Sequence, residues 1–259
     1  MSMSFVFLIA ALCLAAVLFW APLLKPKTQT LPILLIGKTG TPPHNSHDKK
    51  QWLCLAKLEK LLARLNARGF TAILPQDIAK NALPARPVIL LFYGGYQSVY
   101  SQAFALLEKY NGKACAALPA GLIGQYDAWQ NPRQGPWQNL LTAPQIQQLQ
   151  KSKRIEFIST TLDGTSASGE ADEKECWKLQ ENKTRLQYLY KLKTNAVYFP
   201  PPDPLRPAVL QTVRQHFALL IGNQKGNNPL PLNTTDPLRV LPVSNRTCLL
   251  RLFWKMERN

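Results

Sequence analysis

The chain has 259 residues, 46% hydrophobic and 18% charged, so it can bury one sizeable core and is not a disordered polyelectrolyte. Lys and Arg number 31 against 15 Asp and Glu, a formal net charge of +16, which favours anionic partners such as lipid headgroups or acidic glycans. No run of five or more basic residues and no nucleic-acid-binding signature is present, so nucleic acid is not expected as a partner.

After a short tail, residues 1–4, the segment 5–24 (FVFLIAALCLAAVLFWAPLL) runs for about 20 residues without a charge, the length a helix needs to cross a bilayer core. It lacks the basic start and small-x-small ending of a cleaved signal, and closes on Phe19-Trp20-Ala21-Pro22. Cys13 follows Leu12, where a lipid-modified cysteine needs a small neighbour. The expectation is one uncleaved transmembrane helix, a signal anchor, in a single-pass membrane protein. Residues 25–30 form a linker. The soluble domain is expected on the extracytoplasmic side, whereas Lys25 and Lys27 would place that flank in the cytoplasm by the positive-inside rule, and the orientation stays open.

Residues 31–259 read as one α/β domain. The apolar run 31–36 precedes Gly-Lys-Thr-Gly and Pro-Pro, which predicts a buried strand entering a loop. From Gln51 the period changes: Leu55, Leu58, Leu62 and Leu65 recur at helical spacing, and Gly69 stands where a left-handed cap is expected. Strands are then predicted at 70–74, 87–92, 113–118, 155–159, 195–199 and 217–221. Helices are predicted at 101–110, 144–151, 175–191 and 207–216, the last opening on a proline suited to a first turn. Such alternation argues for a parallel sheet covered by helices; periodicity leaves open whether the sheet closes.

In parallel α/β folds the loops leaving the carboxyl ends of strands build the site. Here these are 37–50, 93–100, 119–137 and 160–169, which hold Trp129, Trp137, several tyrosines and few ionisable groups. Cys54 falls on an apolar helical pattern and Cys115 in a strand, and no CxxC spacing exists, so neither zinc-ribbon nor redox motifs are supported. His44, His47 and Asp48 share the first loop; two imidazoles and a carboxylate could hold a metal, but a Pro/Asn/Ser-rich loop is more often a solvated turn. His216 ends a helix. Sequons begin at Asn182, Asn233 and Asn245 and carry no weight in this reading.

Residues 87–118 (PVILLFYGGYQSVYSQAFALLEKYNGKACAAL) resemble the strand, turn, helix and strand that open the NodB homology domain of polysaccharide deacetylases, carbohydrate esterase family four. That family's turn reads Thr-Phe-Asp-Asp-Gly-Tyr; the matching turn is Leu91-Phe92-Tyr93-Gly94-Gly95-Tyr96. Arg68-Gly69-Phe70 follows the family's order upstream. Downstream, 141–161 resembles its Leu-Thr-x-x-Gln helix and Glu-Ile-x-Ser-His-Thr strand. Residues 198–203 sit where Tyr-Pro-Tyr-Gly is common, with Pro201 and Pro202 replacing its Tyr-Gly, and Asp236-Pro-Leu-Arg239 echoes a further element. The resemblance spans roughly residues 31–244 and implies a distorted parallel (β/α) barrel.

It also implies a site. In the family the first aspartate of the turn is the general base, and the second joins two histidines of His-x-x-x-His to hold a divalent metal such as zinc. The matching positions are Tyr93 for the base, Gly94 for the metal aspartate, and Thr160 and Gly164 for the histidines. A tyrosine, with a pKa near 10, replaces a carboxylate base poorly, and glycine carries no ligand. The resemblance therefore implies no cofactor, no catalytic residue and a pseudoenzyme whose cleft binds polysaccharide or cell-envelope glycan, with Tyr93, Tyr96, Tyr126, Trp129 and Trp137 as stacking candidates. The alternative is that Tyr96 and one tryptophan simply pack the barrel rim, and it applies equally to each residue taken singly. Two alternatives stay open: a hydrolase of acetylated polysaccharide, acting on carbon–nitrogen non-peptide bonds through a non-standard site, and a membrane-tethered adaptor for a protein partner.

Overall fold

A computed structural model describes residues 29–80, 83–165, 172–201, 206–233 and 235–257. The apolar segment 5–24 lies outside them, and among the described residues no helix is long and apolar enough to cross a membrane.

Seven parallel strands form the centre: β1 (Ile33–Ile36), β2 (Pro87–Phe92), β3 (Ala114–Leu118), β4 (Ile155–Ser159), β5 (Ala196–Tyr198), β6 (Leu219–Lys225) and β7 (Leu238–Val243). Neighbours in sequence are neighbours in space, and β1 pairs with both β2 and β7, so the sheet closes into a barrel. Closure is thinnest between β4 and β5, which share a single registered pair, Ser159 with Val197. The helices α1 (Leu55–Ala67), α2 (Phe104–Lys109), α3 (Ala143–Lys151), α4 (Asp172–Tyr190), α5 (Pro207–His216) and α6 (Leu249–Glu257) connect and cover the strands.

The strands are apolar on both faces because both faces are covered. In β2, Val88, Leu90 and Phe92 belong to the cluster shared with the helices, whereas Ile89 and Leu91 belong to the cluster inside the barrel. On α1, Leu58, Leu61, Leu62 and Leu65 are buried. That helix stops at Gly69, whose φ of +70° suits a residue without Cβ, and the Phe70 N–H returns to the Leu65 carbonyl at 2.9 Å.

Two sequence expectations need correction, and two elements had no expectation from the sequence. Cys54 is the N-cap of α1, half-exposed, because its extended backbone ends the preceding strand before the helix begins. Of 70–74 only Thr71–Ala72 pairs, with Pro87–Val88, outside the closed ring. Strand β7 was not anticipated from its pattern because Pro242 argues against a central strand; it nonetheless registers Pro242 against Leu35 and closes the barrel. Helix α6 was also missed, although Leu249, Leu252, Phe253 and Met256 bury one face at helical spacing.

The described chain begins at the amino-end face of the barrel. Gln29 Nε2 donates to the carbonyls of Pro84 and Ala85 at 2.8 and 2.9 Å, just ahead of β2. Thr30–Leu31 pairs antiparallel with Asn228–Pro229.

Candidate functional site

The period-two geometry of a strand carries the barrel's interior face beyond the carboxyl ends. Ile89 and Leu91 lead to Tyr93, Ile158 leads to Thr160, and Ala196 leads to Tyr198. These residues converge on a cavity of about 270 Å³ at the barrel mouth, which Gln51, Gly94, Trp129, Gln130, Gly164 and Pro201 complete. All four positions that the family resemblance singled out, Tyr93, Gly94, Thr160 and Gly164, therefore line one cavity.

Tyr93 lies across Gly37, where a Cβ would meet Tyr93 Cε1 at 3.0 Å and the Gln51 carbonyl oxygen at 2.8 Å. Its hydroxyl donates to Gln51 Oε1 at 3.0 Å. Burial, together with the carboxylates of Asp48 and Asp127, pushes that hydroxyl above the ordinary tyrosine range, so Tyr93 is a neutral phenol rather than a base.

Trp129 occupies the volume that ligating side chains would need. A Cβ on Gly164 would meet its indole at 2.4 Å (Cε3), 2.7 Å (Cδ2) and 2.8 Å (Cζ3). A Cβ on Gly94 would meet Tyr96 Cε2 at 2.8 Å and Trp129 Cζ2 at 3.3 Å. Both glycines are left-handed, with φ of +87° at Gly94 and +69° at Gly164. The Gly164 turn is held from α4: Asp163 accepts from the Thr165 N–H at 3.1 Å and pairs with Lys178 at 2.8 Å. Asn182, fully buried, bonds the Leu118 carbonyl, Ser159 Oγ and the Ala120 N–H, which ties the tops of β3 and β4 to the same helix. The sequon beginning there is thus interior.

Among the described residues the cavity is lined by carboxamides and hydroxyls and by no carboxylate, imidazole or thiolate, and these residues do not fit the divalent metal that the family uses. Among the described residues no three His, Cys, Asp or Glu side chains gather as a metal-binding group. His44 and His47 are exposed, and His44 Nδ1 faces Asn45 Oδ1 at 3.4 Å. Asp48 turns inward, and burial raises its carboxyl pKa, partly offset by Lys38 and Lys50. His216 bonds Gln180 at 2.9 Å on the exposed side of α5.

Of the stacking candidates, Tyr93 and Trp129 line the mouth. Tyr96 does not: it is 1% exposed, packs 6.1 Å from Trp129 and 6.5 Å from Tyr93, and donates to Asp127 Oδ2 at 3.2 Å. It belongs to the packed rim because its ring lies beneath Trp129 rather than facing solvent. Tyr126 (54% exposed) and Trp137 (46%) stand outside the mouth, the latter with its indole N–H on the Gln130 carbonyl at 2.9 Å. Tyr198, not among the candidates, completes the wall, 6.0 Å from Tyr93.

The loops hold one ionic pair whose importance composition concealed. Lys38 meets Asp127 at 2.9 Å, both nearly inaccessible. Asp127 also accepts from Tyr96 and, through Oδ1, from the Gln138 N–H at 2.5 Å. The Lys38 ammonium lies 5.3 Å from the Tyr96 ring and 5.9 Å from Trp52.

The sequence matches no protein-family model and no curated protein sequence. The fold matches solved deacetylases. The Streptococcus pyogenes deacetylase PplD, solved with acetate, superimposes with a TM-score of 0.73 at 18% identity, over 88% of this chain and 99% of that one. BC0361, a polysaccharide deacetylase from Bacillus cereus, gives 0.73 at 14%, over 88% and 69%. IcaB from Ammonifex degensii gives 0.69 at 17%, over 89% and 98%. At these identities the likeness establishes the fold, a (β/α) barrel of the NodB type.

Proposed function

We propose that the protein is a polysaccharide-binding relative of the NodB-type deacetylases that has exchanged metal-dependent hydrolysis for recognition of a sugar at the barrel mouth. The observation that carries this reading is the Trp129 indole, which stands within 2.4 Å of a Cβ on Gly164 and 3.3 Å of one on Gly94. An aromatic surface thus replaces two ligand side chains, and a dication loses its site while a sugar face gains a stacking partner. Gln51, Gln130, Thr160 and Thr165 line the same cavity and supply hydrogen-bonding groups for hydroxyls or an acetamide. The structural neighbours named as deacetylases act on acetylated material, which directs the search to acetylated polysaccharides.

The test is a calorimetric titration with N-acetylglucosamine oligosaccharides and their de-N-acetylated counterparts, at low and moderate salt. Binding that Trp129→Ala weakens without unfolding the protein supports the reading. Metal-stimulated acetate release by the unmodified protein would overturn it in favour of a hydrolase with a non-standard site.

A membrane tether through residues 5–24 is part of the same proposal. Its support is positional: four residues, 25–28, separate the apolar segment from Gln29, which is fixed at the amino-end face, and such a stretch spans about 15 Å at most. A tether there would point the mouth away from the bilayer. Protease accessibility of the barrel in intact cells reads the orientation that Lys25 and Lys27 leave open.

A further inference from the structure

A second cavity, about 210 Å³, lies outside the barrel mouth between the loops that follow β1, β2 and β3. Its lining includes Lys38, Thr39, Trp52, Gln97, Gln138 and Asn139. Two of these carry buried polar atoms without a protein partner: Trp52 Nε1, on a side chain 5% exposed, and Thr39 Oγ1, on one 1% exposed. Buried donors and acceptors are ordinarily satisfied, and leaving one unmade costs about 1–3 kcal/mol. Both residues line the cavity, and a rotamer shift that opened either atom to it would let a polar occupant satisfy that atom.

The chemistry of the lining narrows that occupant. Lys38 in it is paired with Asp127 at 2.9 Å, and among the described residues its lining holds no carboxylate, so these residues do not select a charged ligand. What it offers is a set of side-chain amides and hydroxyls beside an indole, which suits an uncharged, hydroxyl- or acetamido-bearing ring. The two cavities share a partition: Tyr96 lines the outer one and packs against Tyr93 and Trp129 of the mouth. One ridge joins them over the top, from Gln130 in the mouth, through Trp137 bonded to its carbonyl, to Gln138 in the outer cavity.

We infer that the outer cavity is a second carbohydrate subsite, holding a neutral sugar unit of the same glycan of which a more distant unit occupies the mouth, with exposed Trp137 as the surface between them. This rests on the polysaccharide-binding reading and adds to it a minimum ligand length. The experiment is a calorimetric comparison of a disaccharide and a hexasaccharide of N-acetylglucosamine on the full chain, on Gln97→Ala/Asn139→Ala and on Trp52→Phe, with thermal melts confirming that each variant folds. The unmodified protein is expected to prefer the hexasaccharide, and both variants to lose about five-fold or more of its affinity while binding the disaccharide unchanged. If the hexasaccharide binds but neither variant weakens it, the outer cavity holds solvent only and the subsite is overturned while the mouth reading stands. If the unmodified protein binds neither ligand, both readings fall together. Should Trp52→Phe alone fail to fold, the surface pair Gln97→Ala/Asn139→Ala decides.

Discussion

The indole of Trp129 and the backbone of Gly164 are in such contact that residue 164 has no room for a Cβ, which would lie 2.4 Å from the ring. The two residues belong to different loops, and each explains the other: the glycine admits the tryptophan, and the tryptophan fills what a ligand-bearing residue would occupy.

Gly164→Ala should accordingly destabilise the protein by roughly 2 kcal/mol or more, combining overpacking with a left-handed backbone. In a Trp129→Ala background the same change should cost only about 1 kcal/mol, the backbone part alone. Urea unfolding of the double-mutant cycle measures the coupling; additive costs would show that the contact is not tight in solution.

Rebuilding the family's ligand set tests the same volume from the other side. Tyr93→Asp, Gly94→Asp, Thr160→His and Gly164→His together should not bind zinc, because the indole blocks a side chain at 164 and, together with Tyr96, crowds one at 94. Adding Trp129→Ala should produce measurable zinc binding in a calorimetric titration. Stoichiometric zinc uptake by the quadruple variant with Trp129 intact would mean that the indole swings aside freely.

The Lys38–Asp127 pair is buried, so removing one partner leaves an uncompensated charge. Lys38→Met is expected to cost about 3–5 kcal/mol, and Lys38→Met combined with Asp127→Asn much less. Because screening acts weakly on buried charge, the difference should persist at high salt. A single-variant cost below about 1 kcal/mol would place the pair in solvent.

Glu156 points into the amino end of the barrel, accepts from the Gln76 N–H at 3.0 Å, and has its pKa pushed up to about 7, chiefly by burial and less by Asp77. Since the folded pKa lies above the unfolded value of 4.5, the unfolded chain loses the proton first as pH rises. Stability is then full below pH 4.5 and declines towards about pH 7. Glu156→Gln should match the unmodified protein at pH 4 and exceed it by roughly 2 kcal/mol at pH 8. Melting temperatures across that range check it, and a pH-independent difference would contradict the assignment.

Asn182→Ala removes the bonds to Leu118, Ser159 and Ala120 and should cost on the order of 3 kcal/mol, read by urea unfolding. A loss under about 1 kcal/mol would mean that water satisfies those groups and that the tops of β3 and β4 do not depend on their bonds to Asn182.

Much of this architecture was legible in local pattern. The run Ile89-Leu90-Leu91-Phe92 reads as a strand buried on both faces, and parity carries Tyr93 into the barrel, because side-chain direction in a strand depends only on position. Closure of the sheet and the place of a metal site were not in that pattern; both came from the family resemblance that the order of elements and the turn around Tyr93 and Gly94 carry. Strand β7 escaped because Pro242 contradicts its local rule while its neighbours in space override it. Packing of Tyr96 in the rim was open as one of two alternatives, but the pairing of Lys38 with Asp127 and the seating of Trp129 on Gly164 could not be read at all. Each joins residues from different loops, and periodicity describes how one segment turns about its own axis. Which loop fills the space above another is decided by excluded volume and by where buried charge finds a partner, and both exist only once the barrel has closed.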